Sequence, residues 1–104
     1  MKEELQEYGL SEKEAIVYLA CLKMGPSTAN RISTATNLRR STTYDILESL
    51  KSKGLISSFV REKKYYFQAA DPAELLAFIR AKEEKLRQIL PELEGIKATA
   101  VEKP

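Results

Sequence analysis

The side chains of this chain that could do chemistry are mainly cations, and they concentrate in its middle quarter. Residues 39–64 carry seven basic and three acidic side chains, a local charge of +4, whereas the whole chain of 104 residues carries +2. Such a concentration is typical of a surface that binds phosphate groups. A solvated surface that is simply basic is the alternative. The seven cations are Arg39, Arg40, Lys51, Lys53, Arg61, Lys63 and Lys64.

Catalysis and metal binding have few candidate residues. The absence of His excludes His-based acid–base catalysis, His-containing triads and His metal ligands. The one Cys, Cys21, excludes an intramolecular disulfide and a multi-cysteine zinc site, and we expect a buried, inert thiol there. The sequence contains no Gly-rich phosphate loop and no nucleophile elbow. It therefore predicts a protein that is not an enzyme and that uses no cofactor or metal.

The composition suits one small, soluble domain. Hydrophobic residues make up 43% and charged residues 31%, both ordinary for a globular protein. No apolar run approaches the ~20 residues of a membrane span, and the first residues lack the apolar region of a signal peptide. We therefore expect a cytoplasmic protein.

The first cations belong to a predicted helix over about 40–53, which Gly54 ends. Its buried face has the i, i+3, i+4, i+7 spacing of Thr43, Ile46, Leu47 and Leu50. That face turns Ser41, Tyr44, Asp45 and Glu48 outward, with Thr42 on the flank. Asp45 and Glu48 would be repelled by phosphates, so we expect only the first turn of this helix to contact a phosphate-bearing ligand closely. Asp45 could instead brace Arg40 or Arg61.

The remaining cations lie at the tip of a predicted hairpin over residues 55–69. Its turn, Arg61–Lys64, contains no Gly or Asn, so we expect a loose, mobile tip rather than a tight two-residue turn. Strand alternation puts Tyr65 and Phe67 on one face, which we expect to be core.

Three further helices are predicted on the N-terminal side of the helix over 40–53, over about 1–8, 11–24 and 28–36. Ser11 to Glu14 forms a capping box, Ser27 or Thr28 caps the third helix, and Asn37 suits a left-handed residue after it. The helices over 11–24, 28–36 and 40–53, followed by the hairpin, indicate a winged helix-turn-helix over residues 1–70. The fold class is thus mainly α with a small β-hairpin (α+β).

A winged helix-turn-helix places the first turn of its second helix at base edges in the major groove. Its wing, here the tip over 61–64, would meet the DNA backbone or the adjacent minor groove. Ser27 and Thr28 could hold a phosphate at a helix N-terminus, or only cap that helix. The predicted DNA-binding residues are Ser27, Thr28, Arg39, Arg40, Ser41, Thr42, Tyr44, Arg61, Lys63 and Lys64. The predicted partners are double-stranded DNA and a second copy of the chain, with no membrane.

Residues 71–104 predict one long helix that dimerises. Asp71 to Glu74 forms a second capping box, with Pro72 at the first helical position. An apolar heptad stripe keeps its phase across Pro91, which favours a kinked continuation. The stripe could pack on its own domain, but an intermolecular coiled coil is favoured. The predicted dimer contacts are Leu75, Ile79, Leu86, Ile89, Leu93 and Ile96.

Several segments together resemble the N-terminal domain of TrmB-type archaeal transcriptional regulators. They are Leu5–Ala15, Val17–Ala20, Gly25–Ala29, Arg40–Leu47 and Lys53–Ile56, while Asp71–Leu76 and Leu90–Glu94 resemble the linker helix of that family. The resemblance implies sequence-specific binding to double-stranded DNA as a homodimer that regulates transcription. It maps the recognition helix onto 40–53 and the wing onto 61–64.

The chain departs from the family pattern in three ways. It lacks the large C-terminal sugar-binding domain of many members, so it is either a short member or a fragment, and no small-molecule effector is assigned. Ile16 stands where a polar residue is expected, which suggests a partner contact. Thr43 stands where Val is expected and could slightly weaken the core or bond a backbone carbonyl. The alternative function is a winged-helix protein–protein interaction module in a larger assembly without DNA binding.

Overall fold

The computed structural model describes residues 1–100 as five helices and one antiparallel hairpin, which confirms the predicted fold class. The elements are α1 (Lys2–Glu7), α2 (Glu12–Met24), α3 (Ala29–Thr36), α4 (Arg40–Ser52), β1 (Ile56–Arg61), β2 (Lys64–Ala69) and α5 (Glu74–Ala100). The predicted helix over 71–104 therefore ends outside the described residues. No helix among those residues is long and apolar enough to span a membrane.

Local signals set the helix boundaries as predicted. The Ser11 hydroxyl accepts a hydrogen bond from Glu14 N–H at 3.1 Å, and the Glu14 carboxylate accepts one from Ser11 N–H at 2.8 Å, so the capping box is confirmed. Thr28, rather than Ser27, caps α3, because its hydroxyl accepts from Arg31 N–H at 3.3 Å. Asn37 ends α3 in the left-handed region, with φ of 56°.

The core forms where α2, α3, α4 and the base of the hairpin meet. The predicted buried face of α4 is confirmed, because Thr43, Ile46, Leu47 and Leu50 are all buried. The Thr43 hydroxyl donates to Arg39 O at 2.9 Å. A Thr at this buried position, where Val is expected, therefore has its hydroxyl paired. Cys21 is also buried, as predicted, and burial raises the pKa of its thiol to about 11, which disfavours the reactive thiolate.

The hairpin ends in a tight turn, so the prediction of a loose tip was wrong. The six paired positions run from Ile56↔Ala69 to Arg61↔Lys64, which leaves only Glu62 and Lys63 between the strands. Both residues have positive φ, at 51° and 65°, as in the two-residue turns that match the right-handed twist of the strands. The strand pairing therefore imposes a backbone conformation that these two side chains do not favour.

Helix α5 leaves the core and continues as one helix through Pro91, which confirms the predicted continuation. Its start differs from the prediction. Asp71 accepts from Ala73 N–H at 2.8 Å instead of forming the second capping box, and Glu74 and Leu75 bond carbonyls three residues back. The chain turns tightly at Pro72 before the helix begins at Glu74. The described chain is 68 Å long but only 23 Å by 22 Å across.

Candidate nucleic-acid interface

An open cleft of about 300 Å³ lies between the N-termini of α3 and α4 and the tip of the hairpin. We call it the basic cleft, and its lining residues are Thr28, Ala29, Asn30, Arg40, Tyr44, Lys63, Lys64 and Tyr65. Three separate elements thus form a single concave surface, which carries one guanidinium and two ammonium groups. Five of the ten predicted DNA-binding residues line it.

The N-terminus of α3 supplies one wall of the basic cleft. The first N–H groups of a helix, here those of Ala29 and Asn30, have no intrahelical carbonyl to bond and lie at the positive end of the helix dipole. Thr28 contributes the capping hydroxyl beside them. This wall is suited to an anion.

Ser27 lies beneath the cleft rather than in it. Its side chain is 1% exposed and donates to Gly25 O at 3.0 Å. Its backbone exchanges two hydrogen bonds with Phe67, of 3.0 and 2.8 Å, which fasten β2 to the start of α3. We therefore remove Ser27 from the predicted contacts: its role is to join the hairpin to the helices.

The N-terminus of α4 supplies the opposite wall. The Arg40 guanidinium lies over the Tyr44 ring at 5.9 Å, and the edge of that ring packs against Phe67 at 6.2 Å. These two aromatic contacts place Arg40 against the base of the hairpin. The Asp45 carboxylate forms no ion pair with Arg40 or Arg61 within 4.0 Å, so the predicted brace was wrong.

The rest of the first turn of α4 is available to a ligand. Arg39 lies at the N-cap in an extended conformation, and its side chain is exposed. Ser41 is exposed and Thr42 is half-buried, as the amphipathic pattern predicted. Glu48, about two turns further along α4, is also exposed.

The cations of the hairpin tip make different contacts. Lys63 and Lys64 line the basic cleft, whereas Arg61 packs over the ring of Phe59, with 5.6 Å from its guanidinium carbon to the ring centre. Phe59 in turn stacks on Tyr66, with ring centres 5.6 Å apart and planes 12° from parallel. Arg61 is thus directed by aromatic contacts rather than by the cleft.

Tyr65 and Asn30 belong to the cleft, and sequence reasoning missed both. Tyr65 shares a face with the buried Phe67, but it is 63% exposed because the hairpin extends beyond the core near its tip. The prediction of Tyr65 as core was therefore wrong. The exposed Val60, its partner across the hairpin, shows the same overhang. No signal in the sequence singled out Asn30.

The cations of this surface are not neutralised by nearby carboxylates. Among residues 1–100, no carboxylate lies within 4.0 Å of Arg39, Arg40, Arg61, Lys63 or Lys64. Residues 1–100 also contain no group of three or more His, Cys, Asp or Glu side chains that could hold a metal. The surface is therefore suited to electrostatic binding of an extended polyanion.

The predicted dimer stripe on α5 divides into two parts. Leu75 and Ile79 are half-buried, and Leu75 packs against the core with Phe78. Beyond them the stripe is exposed, with Leu86 at 50%, Ile89 at 46%, Leu93 at 47% and Ile96 at 66%. Lys82, which interrupts the heptads, lies against Gly9 and over the Phe78 ring, so this position faces its own domain.

Comparison with known proteins identifies the family. The family model described as "Sugar-specific transcriptional regulator TrmB" matches residues 5–73, which include every element of the helix-turn-helix and the hairpin. The chain belongs to the TrmB family. The resemblance inferred from the sequence is thereby confirmed.

Two TrmB-family relatives show how much of the chain is shared. The HTH-type sugar sensing transcriptional regulator TrmBL1 of Pyrococcus furiosus is 37% identical over 54 residues, 52% of this chain and 16% of that protein. TrmBL2, described as an archaeal chromatin protein with a novel mode of DNA binding, aligns with a TM-score of 0.83 at 28% identity over 98% of this chain. The chain spans only 39% of that TrmBL2 chain.

More distant proteins share the fold. YusO of Bacillus subtilis aligns with a TM-score of 0.61 at 20% identity, over 95% of this chain and 76% of its own. At that identity the likeness supports the winged-helix fold alone.

Proposed function

We propose that this chain is a sequence-specific, double-stranded DNA-binding transcription regulator that acts as a homodimer. The observation that carries the proposal is the basic cleft, where Arg40, Lys63 and Lys64 meet the free N–H groups of α3 without a carboxylate nearby. Membership of the TrmB family supports it. The family model and TrmBL1 are named as transcriptional regulators. We infer that this chain has no catalytic activity of its own and works in the cytoplasm.

The first turn of α4 enters the major groove in this proposal. Ser41 and Thr42 reach base edges or phosphates, and Arg40 pairs with a guanine or with a phosphate. Arg39, just outside the helix, contacts the DNA backbone. Glu48 limits the depth of insertion because a carboxylate further along α4 is repelled by phosphates. The basic cleft holds the backbone beside the groove, and phosphate contacts of this kind set the register of the protein on the duplex.

The exposed part of the α5 stripe joins two copies. Four aliphatic side chains that are 46–66% exposed form a helical seam of the kind that a second helix covers. In this arrangement residues 1–70 form the DNA-binding unit, and the residues from 71 onward, with α5, form the dimer unit. A two-fold dimer would present its two α4 helices to half-sites about one turn of DNA apart. Bound to a promoter, it would block or recruit the polymerase.

Fluorescence anisotropy with duplex DNA from the region upstream of its own gene, against a scrambled duplex, tests the proposal. We expect tighter binding to the upstream duplex and a steep loss of affinity with salt, about −0.9 in log–log slope per phosphate contact. Equal binding to both duplexes would argue for a non-specific DNA binder. Absence of binding to either duplex at low salt would favour the protein–protein interaction module instead.

A further inference from the structure

The two faces of the hairpin carry different chemistry. Ser58, Tyr65 and Phe67 face α4 and line a groove with Tyr44. Successive side chains of a strand alternate between faces, so their neighbours point the other way. The outer face, which we define as Phe59, Arg61 and Tyr66, therefore has no part in the core.

The outer face is an ordered stack of three planar groups. Tyr66 and Phe59 are directly paired across the hairpin, and their rings stack. The Arg61 guanidinium carbon lies over the Phe59 ring, 5.6 Å from its centre. Both rings are half-buried, whereas Arg61 is exposed. An arginine held on an aromatic face keeps the N–H groups at its edge available for a ligand.

No anion of the described chain occupies that edge. The ion pairs formed by residues 1–100 do not include Arg61, although Glu62 follows it directly in the sequence. Lys63 and Lys64, by contrast, line the basic cleft. Lys64 pairs with Arg61 across the hairpin, but its side chain reaches the cleft, so of the three tip cations it is Arg61 that lies on the Phe59 ring.

We propose that Phe59, supported by Tyr66, is a positioning residue that holds Arg61 for insertion into a narrow, A·T-rich minor groove beside the site that α4 contacts. This inference rests on the proposed DNA binding. Narrow A·T-rich minor grooves have an enhanced negative potential that attracts inserted Arg side chains. A guanidinium that is already oriented loses less conformational freedom on binding. The stack thus gives sequence preference at positions outside the major-groove contacts.

The test uses the full chain and two versions of the upstream duplex, with its flanks changed to A·T or to G·C pairs. We expect the wild type to bind the A·T-flanked duplex more tightly. Phe59→Leu, which removes the ring, should lower this preference by about two- to fivefold, the value of an exposed cation–π contact. Phe59→Tyr should retain the preference, and Arg61→Ala should abolish it. Lys63→Ala, the control, should weaken binding to both duplexes equally.

The outcomes separate this inference from the proposed function. If the wild type binds neither duplex, DNA binding itself is wrong. If it binds both with equal affinity, or if Phe59→Leu keeps the full preference, the positioning role is overturned. Circular dichroism checks that Phe59→Leu is folded. Should it not fold, Arg61→Lys decides, because it keeps the charge but lacks the planar group, and an unchanged preference would then refute the proposal.

Discussion

The Lys53 ammonium donates to the Glu14 carboxylate, and this ion pair joins the first turn of α2 to the end of α4. Glu14 is only 6% exposed, and it also accepts from the Ser49 hydroxyl and from Ser11 N–H. The carboxylate therefore holds α4 from the end opposite to Arg40. The direction in which the proposed recognition helix points depends on a contact that lies far from the basic cleft.

Acid should weaken the fold through Glu14. Burial raises the pKa of its carboxyl, but hydrogen bonds from Lys53, Ser11 N–H and Ser49 outweigh burial and lower the pKa from 4.5 to about 2. A lowered pKa contributes stability that is present above pH 4.5 and is lost as the pH falls toward 2. That shift corresponds to about 3 kcal/mol in the free energy of unfolding.

Urea unfolding of the wild type and of Glu14→Gln between pH 7 and pH 2 measures this contribution. We expect the difference between the two proteins to be largest at pH 7 and to disappear near pH 2. Glu7→Gln, at an exposed position on α1, is the control and should follow the wild type. A difference that does not change with pH would mean that Glu14 acts by packing alone.

The hairpin turn should become more stable when Glu62 is replaced by Asn. Glu62 has φ of 51°, and the left-handed region costs an ordinary L-residue roughly 1–2 kcal/mol, whereas Asn tolerates it better. We expect Glu62→Asn to raise the free energy of unfolding by about 1 kcal/mol. Glu62→Gln removes the same charge without relieving the backbone. Equal stabilisation by both variants would assign the effect to charge.

Arg40 and Lys63 should differ in what their loss does to DNA binding. Arg40→Ala should cost about 1–3 kcal/mol on the preferred duplex and relax specificity at one position of each half-site. Lys63→Ala should weaken binding to all sequences and reduce the salt slope by about one. Anisotropy titrations at several salt concentrations measure both effects. Lys13→Ala, on α2 away from the cleft, is the control and should bind as the wild type does. If Arg40→Ala and Lys63→Ala also bound as the wild type does, the assignment would be refuted.

The α5 seam should control the oligomeric state. Leu86 is 50% exposed at the middle of the heptad stripe, so Leu86→Asp would place a charge in the proposed dimer interface. We expect light scattering to give twice the chain mass for the wild type and a single chain mass for this variant. Lys85→Asp introduces the same residue beside the stripe and should remain a dimer. An unchanged mass for Leu86→Asp would rule out this seam.

The features that were predictable from the sequence are those that depend on neighbours in the chain. The Ser11 capping box, the left-handed Asn37 and the buried face around Leu47 follow from spacing within a few residues. The exposure of Tyr65 and the burial of Ser27 do not, because each depends on where the hairpin meets the helices. Local preference also misled at Glu62, where the pairing of two strands overrode it.

The backbone bridge between Ser27 and Phe67 has a consequence for the thermodynamics of binding. Its two hydrogen bonds fix the base of the wing to the wall of the basic cleft, so the cleft exists before any ligand arrives. Ordering a mobile wing would subtract from the binding free energy, whereas a wing that is already in place avoids most of that entropic cost. Formation of the complex would then show a small change in heat capacity from folding, since little of the interface would have to fold on contact with DNA.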